Sequence, residues 1–253
     1  MRRIKLIVAY DGTNYCGWQI QPNGITIEEV LNKAICKLTS EQIAIIGASR
    51  TDSGVHSLGN VAVFDTESRI PAERFAYALN QKLPDDVVIV SSEEVPGNWH
   101  PRYQNSRKVY EYHICNSKVH IPTRRLYQSF VSYKLDVDRM RTGAAYLLGE
   151  HDFAGFCCIR TNAKSTVRTI YQLDVKQNGD EVVIHVEGNG FLYNMVRIIA
   201  GVLIRVGRGY YEPEKVKELL DGKERTKEAI TAPPQGLFLV EIKYESEGQS
   251  QAE

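Results

Sequence analysis

The chain has 253 residues, 43% hydrophobic and 25% charged, and its 31 basic side chains balance 31 acidic ones. That apolar fraction and zero net charge exclude an intrinsically disordered chain. The best apolar run, Ile198 to Ile204 between Arg197 and Arg205, falls far short of the ~20 residues of a membrane-spanning helix.

Arg3 to Ala9 alternates basic and apolar residues, which predicts a strand, not a signal peptide, since no small-residue cleavage site follows. Asp11-Gly12 opens a loop through Gly24. Thr26 starts a helix with Glu28 and Glu29 in its first turn and an apolar stripe of Ile27, Val30, Leu31, Ala34, Ile35 and Leu38. Strands follow over Gln42 to Ala48 and Val61 to Phe64, a helix with Phe75, Ala78 and Leu79 after Pro71, and a strand over Val87 to Val90. This is the split βαβ order, β-α-β-β-α-β. Val109 to Cys115 begins a second copy. A helix capped by Asp136 follows, then a hairpin, Val167 to Val175 and Val182 to Val186, around Asn178-Gly179-Asp180. Helices over Asn194 to Val206 and Pro213 to Leu220 and a strand over Leu237 to Tyr244 complete it. The expected fold class is α+β, two ferredoxin-like halves whose antiparallel or mixed sheets flank a central cleft. The expected domains are 1–101 and 102–245, with a polar tail over 246–253.

Charge is not spread evenly. From Arg102 to Lys134, Arg102, Arg107, Lys108, Lys118, Arg124, Arg125 and Lys134 face one acid, Glu111, and Tyr103, Tyr110, Tyr112, Tyr127 and Tyr133 are interleaved with them. Such a stretch suits phosphates and unstacked bases, or is simply a solvated surface. The five cysteines are odd in number and lack CxxC spacing, so reduced cytoplasmic thiols are expected instead of disulfides or a zinc ribbon.

The densest polar cluster is Gly47-Ala48-Ser49-Arg50-Thr51-Asp52-Ser53-Gly54-Val55-His56. Arg50 and Asp52 lie two apart, so extended geometry puts both on one face. Two readings stand side by side. A guanidinium beside Asp52 keeps it ionised, as a nucleophile requires, or Asp52 caps backbone amides in a turn with Arg50 as a structural partner. His56 and His151 are lone histidines without ligand spacing, Trp18 is a stacking residue or a loop anchor, and no phosphate-loop or dinucleotide motif is present. The turn Gly188-Asn189-Gly190-Phe191 leads into a helix and either makes the turn or receives a phosphate.

Read together, these stretches resemble the TruA-type tRNA pseudouridine synthases nearly end to end. The matching runs are Tyr10-Asp11-Gly12-Thr13, Gly17-Trp18-Gln19, Arg50-Thr51-Asp52 with Gly54-Val55-His56, Lys108-Val109-Tyr110-Glu111-Tyr112, His151-Asp152-Phe153, Gly190 to Arg197, Val206 to Gly209, and Ala232-Pro233-Pro234-Gln235-Gly236-Leu237. The resemblance implies a cytoplasmic isomerase that turns uridine into pseudouridine at positions 38, 39 and 40 of the tRNA anticodon arm. It implies no metal or redox cofactor, and a homodimer on which tRNA spans both subunits. By the same resemblance Asp52 is the nucleophile, Arg197 its basic partner and Tyr110 the tyrosine against the target base. Arg50 fills the gap left by the extruded nucleotide, Leu237 packs on the uracil, and Arg102, Lys108, Arg124 and Arg125 face the tRNA. The chain departs from the family pattern at Ser49, where Gly is usual, at Glu28 and Asn60, where Gln is usual, and at Trp99-His100-Pro101-Arg102. The alternative is a non-catalytic RNA-binding module on paired ferredoxin-like units. It accounts for the basic-aromatic stretch but not for the joint match at Arg50, Asp52, Tyr110 and Arg197.

Overall fold

Strand β1 (Arg2–Tyr10) buries every second residue, Ile4, Leu6, Val8 and Tyr10, because successive side chains of a strand point to opposite faces. Its basic residues Arg3 and Lys5 serve the other face. Arg3 makes two 2.7 Å bonds to the Asp65 carboxylate, and Lys5 lies 2.7 Å from Glu93. These facts come from a computed structural model, which describes residues 1–158 and 164–245; the polar tail expected over 246–253 lies outside the described residues.

The chain divides into two units, Met1–Ser106 with the C-terminal stretch from Leu239, and Arg107–Phe238. In the first, α1 (Ile27–Thr39) starts where the Thr26 hydroxyl accepts the Glu29 N–H, and ends at Ser40 in the left-handed region. It packs Ile27, Leu31, Ala34 and Ile35 against β1 residues, with Trp18 and Tyr15 from the intervening loop in the same core. Burying each large aliphatic side chain there contributes about 1.5–3 kcal/mol. β2 (Ile46–Gly47), β3 (His56–Thr66), α2 (Phe75–Asn80) and β4 (Val87–Val95) follow. β1 lies between β4 and β3, and β2 pairs with β3, all antiparallel. This is the strand order of a split βαβ unit.

Two strands differ from expectation. The one expected over Gln42 to Ala48 shrinks to two residues, because the preceding backbone is bonded to α1 instead. The Ile45 N–H goes to Asn32 Oδ1 at 2.9 Å, and the Ile43 N–H to Cys36 Sγ at 3.4 Å. β3 is longer than expected because both of its faces are covered, from Val61 and Val63 on one side to Ala62 and Phe64 on the other. A doubly buried strand has no alternation to mark its ends.

The second unit repeats the plan. β5 (Ser106–Cys115) carries the short parallel β6 (Ser129–Phe130) and is followed by α3 (Val137–Ala145) and β7 (Gly149–Asp152). The hairpin of β8 (Val167–Asn178) and β9 (Glu181–Gly188) comes next, then α4 (Met195–Gly207) and α5 (Glu214–Asp221). The antiparallel order is β5-β9-β8-β7. Asp136 caps α3 by accepting the N–H groups of Asp138 and Arg139. α4 is the central helix of this unit, with Ile198, Ile199, Val202, Leu203 and Val206 fully buried. The sequence pattern did not reveal β6 and β7, which are too short to show a period. β10 (Leu237–Tyr244) runs beside β3, and its Leu239 carbonyl accepts the Ser57 hydroxyl at 3.2 Å. The architecture is α+β, as expected. Among the described residues no disulfide links the cysteines and no helix is long and apolar enough to cross a membrane.

The Arg3–Asp65 pair ties β1 to β3 and has a pH signature. Hydrogen bonding from Arg3 holds the Asp65 carboxyl below its ordinary 3.8, against burial, which raises it. A carboxyl depressed in the folded state contributes stability above its unfolded pKa and loses it as pH falls through the folded one. Denaturant unfolding from about pH 5 downward should therefore show a steeper acid loss for the wild type than for Asp65→Asn. Equal slopes would mean that the pair does not set acid stability.

Candidate active site

The loop between β2 and β3 presents Asp52. It is held by backbone groups and by buried side chains from the same unit. The Ala48 N–H donates to the Val61 carbonyl at 2.7 Å. One residue on, the Asn60 side chain replaces the strand ladder. Its Oδ1 accepts the Ser49 N–H at 3.3 Å and its Nδ2 donates to the Ser49 carbonyl at 3.0 Å. Thr51 is turned inward, with Oγ1 at 2.8 Å from the Tyr10 hydroxyl and its carbonyl accepting the Trp18 N–H at 3.1 Å. The Asp52 carbonyl accepts the Val55 N–H at 3.1 Å, which closes a turn, and Ser53 and Gly54 both bond the Tyr15 carbonyl. Asp52 itself is half-buried.

Close approach of two chain segments makes this possible. A Cβ on Gly12 would sit 2.0 Å from the Val55 carbonyl oxygen, and one on Gly17 would sit 2.5 Å from the Thr51 carbonyl oxygen. Gly17 also has φ +82°, which side chains rarely tolerate. Trp18 is 1% exposed, so it anchors the loop and does not offer a stacking face. The buried Tyr15 phenol donates to Asp86, and burial together with that bond raises its pKa. His56 is also buried, with Nδ1 at 3.1 Å from both the Gly12 nitrogen and Asp11 Oδ1. It therefore braces the opposite end of the same loop.

Arg50 is exposed, and among the described residues its guanidinium has no ion-pair or hydrogen-bond partner. The Arg50 partner that both readings gave Asp52 is thus not formed among the described residues. Thr51 points in and its neighbours point out, as a two-residue period requires, yet the arginine extends into solvent. Arg102 sits close to this loop in a different way, with Nε donating to the Gly47 carbonyl at 2.7 Å. Two departures from the family pattern also find partners here. Glu28 accepts the Ile20 N–H at 2.9 Å, and Trp99 packs edge-on against Tyr244 with Lys5 over its ring.

In the second unit, Tyr110 is paired with Val186 across β5 and β9 and is 6% exposed. The Phe191 ring meets it edge to face at 5.2 Å and 83°, a favourable quadrupole arrangement. Lys108 is half-buried two residues away. Arg197, on the first turn of α4, donates from Nε to the Ala232 carbonyl at 2.9 Å and from Nη1 to Asn194 Oδ1 at 2.9 Å. Its own carbonyl accepts the Ala232 N–H at 2.9 Å. Asn194 supplies its oxygen from a left-handed conformation, φ +62°, at the helix start. The Tyr112 hydroxyl donates to Pro233, next in the same segment, and burial pushes that phenol up to about 12 against smaller opposing effects of Ser129 and Arg197. Leu237 is 5% exposed. Sequence reasoning missed the Ala232-Pro233 anchor, which is far from Arg197 in the chain.

The basic stretch is less uniform than its composition. Arg124 pairs with Asp180 of the hairpin turn at 2.8 Å, whereas the exposed Arg125 bonds only the Pro122 carbonyl among the described residues. Tyr110 and Tyr112 are core residues, while Tyr103, Tyr127 and Tyr133 are exposed. The structure adds two cation–π pairs: Arg208 lies 4.1 Å over Tyr133 and Arg107 4.4 Å over Tyr171. His151 and Asp152 are local. The His151 Nε2 lies 2.7 Å from the Leu148 carbonyl, and Asp152 accepts the Ala154 N–H at 3.1 Å.

The family model described as tRNA pseudouridine synthase matches residues 6–104 and 144–245. The chain is similar to the tRNA pseudouridine synthase A of Thermoanaerobacter sp. (strain X514), 50% identical over 244 residues, 96% of this chain and 100% of that protein. It is 46% identical to the protein of that name from Exiguobacterium sp. (strain ATCC BAA-1283 / AT1b) over 97% of this chain and 99% of the relative. It is likewise 46% identical to the tRNA pseudouridine synthase A 2 of Clostridium perfringens (strain 13 / Type A) over 96% and 100%.

The glycine contacts give a direct test of how the loop is held. Gly17→Ala brings a methyl group into the Thr51 carbonyl and strains φ. It should cost about 2 kcal/mol or more in denaturant unfolding, whereas Gly97→Ala, with open space around it, should stay within about 0.5 kcal/mol. Equal stabilities of the two variants would show that the loop is not clamped at Gly17.

Proposed function

The chain belongs to the tRNA pseudouridine synthase family, and from that premise we propose that it isomerises uridines 38, 39 and 40 of the anticodon arm with Asp52 as nucleophile. The reaction breaks the C1′–N1 bond, turns the uracil and joins C1′ to C5. N1 takes up a proton and the C5 hydrogen leaves as one, so the atom balance needs neither oxidant nor reductant. Asp52 adds either to C1′ or to the uracil ring and is released when the new carbon–carbon bond is complete.

The observation that carries this reading is the way Asp52 is presented. Its backbone is fixed by buried partners on both sides, while its carboxylate is on a half-buried position of the loop. A catalytic group held this firmly loses little freedom on reaching the reactive geometry. A stem uridine must leave its stack at a cost of a few kcal/mol, and the exposed Arg50, without a partner among the described residues, suits the role of filling the gap. Tyr110 lies against the target base with its ring plane set by Phe191. The resemblance assigns Arg197 the role of the basic residue that serves the aspartate. Two of its donors are committed to Ala232 and Asn194, which sets the plane of a guanidinium that has five N–H groups in all. Leu237 packs on the uracil. Lys108, Arg102, Arg124 and Arg125 contribute to the tRNA-facing surface, aided by the Arg208–Tyr133 and Arg107–Tyr171 pairs. A binding-only module would leave the clamped aspartate loop without a purpose.

Release of tritium from tRNA labelled at uridine C5 tests the chemistry. Wild type should release it, and Asp52→Ala should release none while binding tRNA with nearly unchanged affinity. Near-normal release by the variant would remove Asp52 from the mechanism. For the surface, Arg125→Glu should weaken tRNA binding and reduce the slope of log K against log salt by about 1. A slope equal to that of the wild type would place the phosphate contacts elsewhere.

A further inference from the structure

We infer that Tyr10 is a positioning residue for Asp52, acting through the Thr51 hydroxyl; the inference rests on Asp52 being the nucleophile. Four polar groups carry it, all buried: Tyr10 is 5% exposed, Ser49 6%, Thr51 7% and Asn60 0%. The direction of the Asn60 bonds follows from donor chemistry. Asn60 Oδ1 accepts the backbone N–H groups of Ser49 and Val61, at 3.3 and 2.9 Å. Turning the amide over would set N–H against N–H, so its Nδ2 is fixed as the donor. Nδ2 reaches the Ser49 carbonyl at 3.0 Å and the Tyr10 phenol oxygen at 3.4 Å. The phenol oxygen accepts from Asn60 and lies 2.8 Å from Thr51 Oγ1, a bond in which either hydroxyl can donate. The chain therefore joins Asn60, Tyr10 and Thr51.

The consequence falls on Asp52. The peptide plane between Thr51 and Asp52 is held because the Thr51 carbonyl accepts the Trp18 N–H at 3.1 Å, and the next plane is held because the Asp52 carbonyl accepts the Val55 N–H at 3.1 Å. Peptide units are rigid, so with both planes fixed the direction of the Asp52 Cα–Cβ bond is fixed too. Tyr10 adds the side-chain anchor that keeps Thr51 turned inward and its carbonyl aimed at Trp18. All four groups are buried, and a buried polar group that loses its partner is costly to leave unsatisfied. Asn60 stands where Gln is usual and Ser49 where Gly is usual. The shorter amide here reaches both backbone groups of Ser49, so the two departures meet in one contact.

Single-turnover tritium release with saturating enzyme, tRNA affinity and denaturant unfolding are measured together. Tyr10→Phe keeps the ring in the core and should slow the chemical step about tenfold with Kd within twofold. Thr51→Val should do the same, and the double variant should be no more than twofold slower than either single one, because both delete one interaction. Tyr244→Phe removes a comparable bond, to the Pro101 carbonyl at 3.0 Å, which is no part of the Asn60–Tyr10–Thr51 chain, and should keep the wild-type rate. A Tyr10→Phe rate within twofold of wild type overturns the inference. So do losses that multiply in the double variant, or an equal slowing by Tyr244→Phe, which would mark a general structural effect. Asp52→Ala is run alongside. If it is inactive while Tyr10→Phe is normal, only the positioning role falls. If it is active, the nucleophile assignment falls and the positioning role falls with it.

Discussion

The 3.1 Å bond from the Trp18 N–H to the Thr51 carbonyl is the contact on which the candidate catalytic loop depends. It joins the segment after β1 to the loop before β3, and it forms because Gly17 and Gly12 let the two backbones approach more closely than any side chain would allow. Trp18 itself is locked in the core of the first unit with Ile27, Leu31 and Phe64. The position of Asp52 is thus set by apolar packing about a sheet rather than by the loop's own sequence. A loop of this length would otherwise sample many conformations at a cost of about 1–2 kcal/mol per residue ordered. Here the core beneath it offsets that cost.

The second unit solves the same problem for a cation. Arg197 has a long side chain with several rotatable bonds, and surface arginines seldom keep one geometry. Its guanidinium is fixed by a carbonyl from Ala232 and an amide oxygen from Asn194, one turn earlier. Tyr110 needs no polar anchor, because a buried strand position and an edge-on Phe191 define its ring. In each unit the groups assigned to chemistry are held by neighbours that do no chemistry. This is how a site can be organised before substrate arrives.

Charge on the page of the sequence and charge on the surface differ in an instructive way. Arg102 and Arg124 both belong to the basic stretch, yet one caps the Gly47 carbonyl and the other neutralises Asp180. Each of those partners lies more than fifty residues away in the chain. Arg125, next to Arg124, keeps its exposure, and Arg208 and Arg107 gain aromatic faces from Tyr133 and Tyr171. Composition locates a basic segment but does not say which of its members are already committed.

The sequence by itself determined the α+β class and most of the elements, because Thr26 and Asp136 cap helices, Asn178-Gly179-Asp180 turns a hairpin, and apolar spacing marks the buried faces of β1 and α1. These are signals confined to a few neighbouring residues. It also drew attention to Asp52, in the densest polar cluster, while Arg197 was named by the family resemblance alone. Only the tertiary structure decided that β2 is two residues long, since α1 takes the hydrogen bonds of the segment before it, and that β10 runs beside β3. It alone decided that Arg50 is exposed to solvent, that Tyr10 and Asn60 reach Thr51 and Ser49, and that Ala232 holds Arg197. Each of those outcomes joins residues distant in the chain, and a hydrogen bond needs donor and acceptor within about 3 Å of one another, a distance that sequence spacing does not encode.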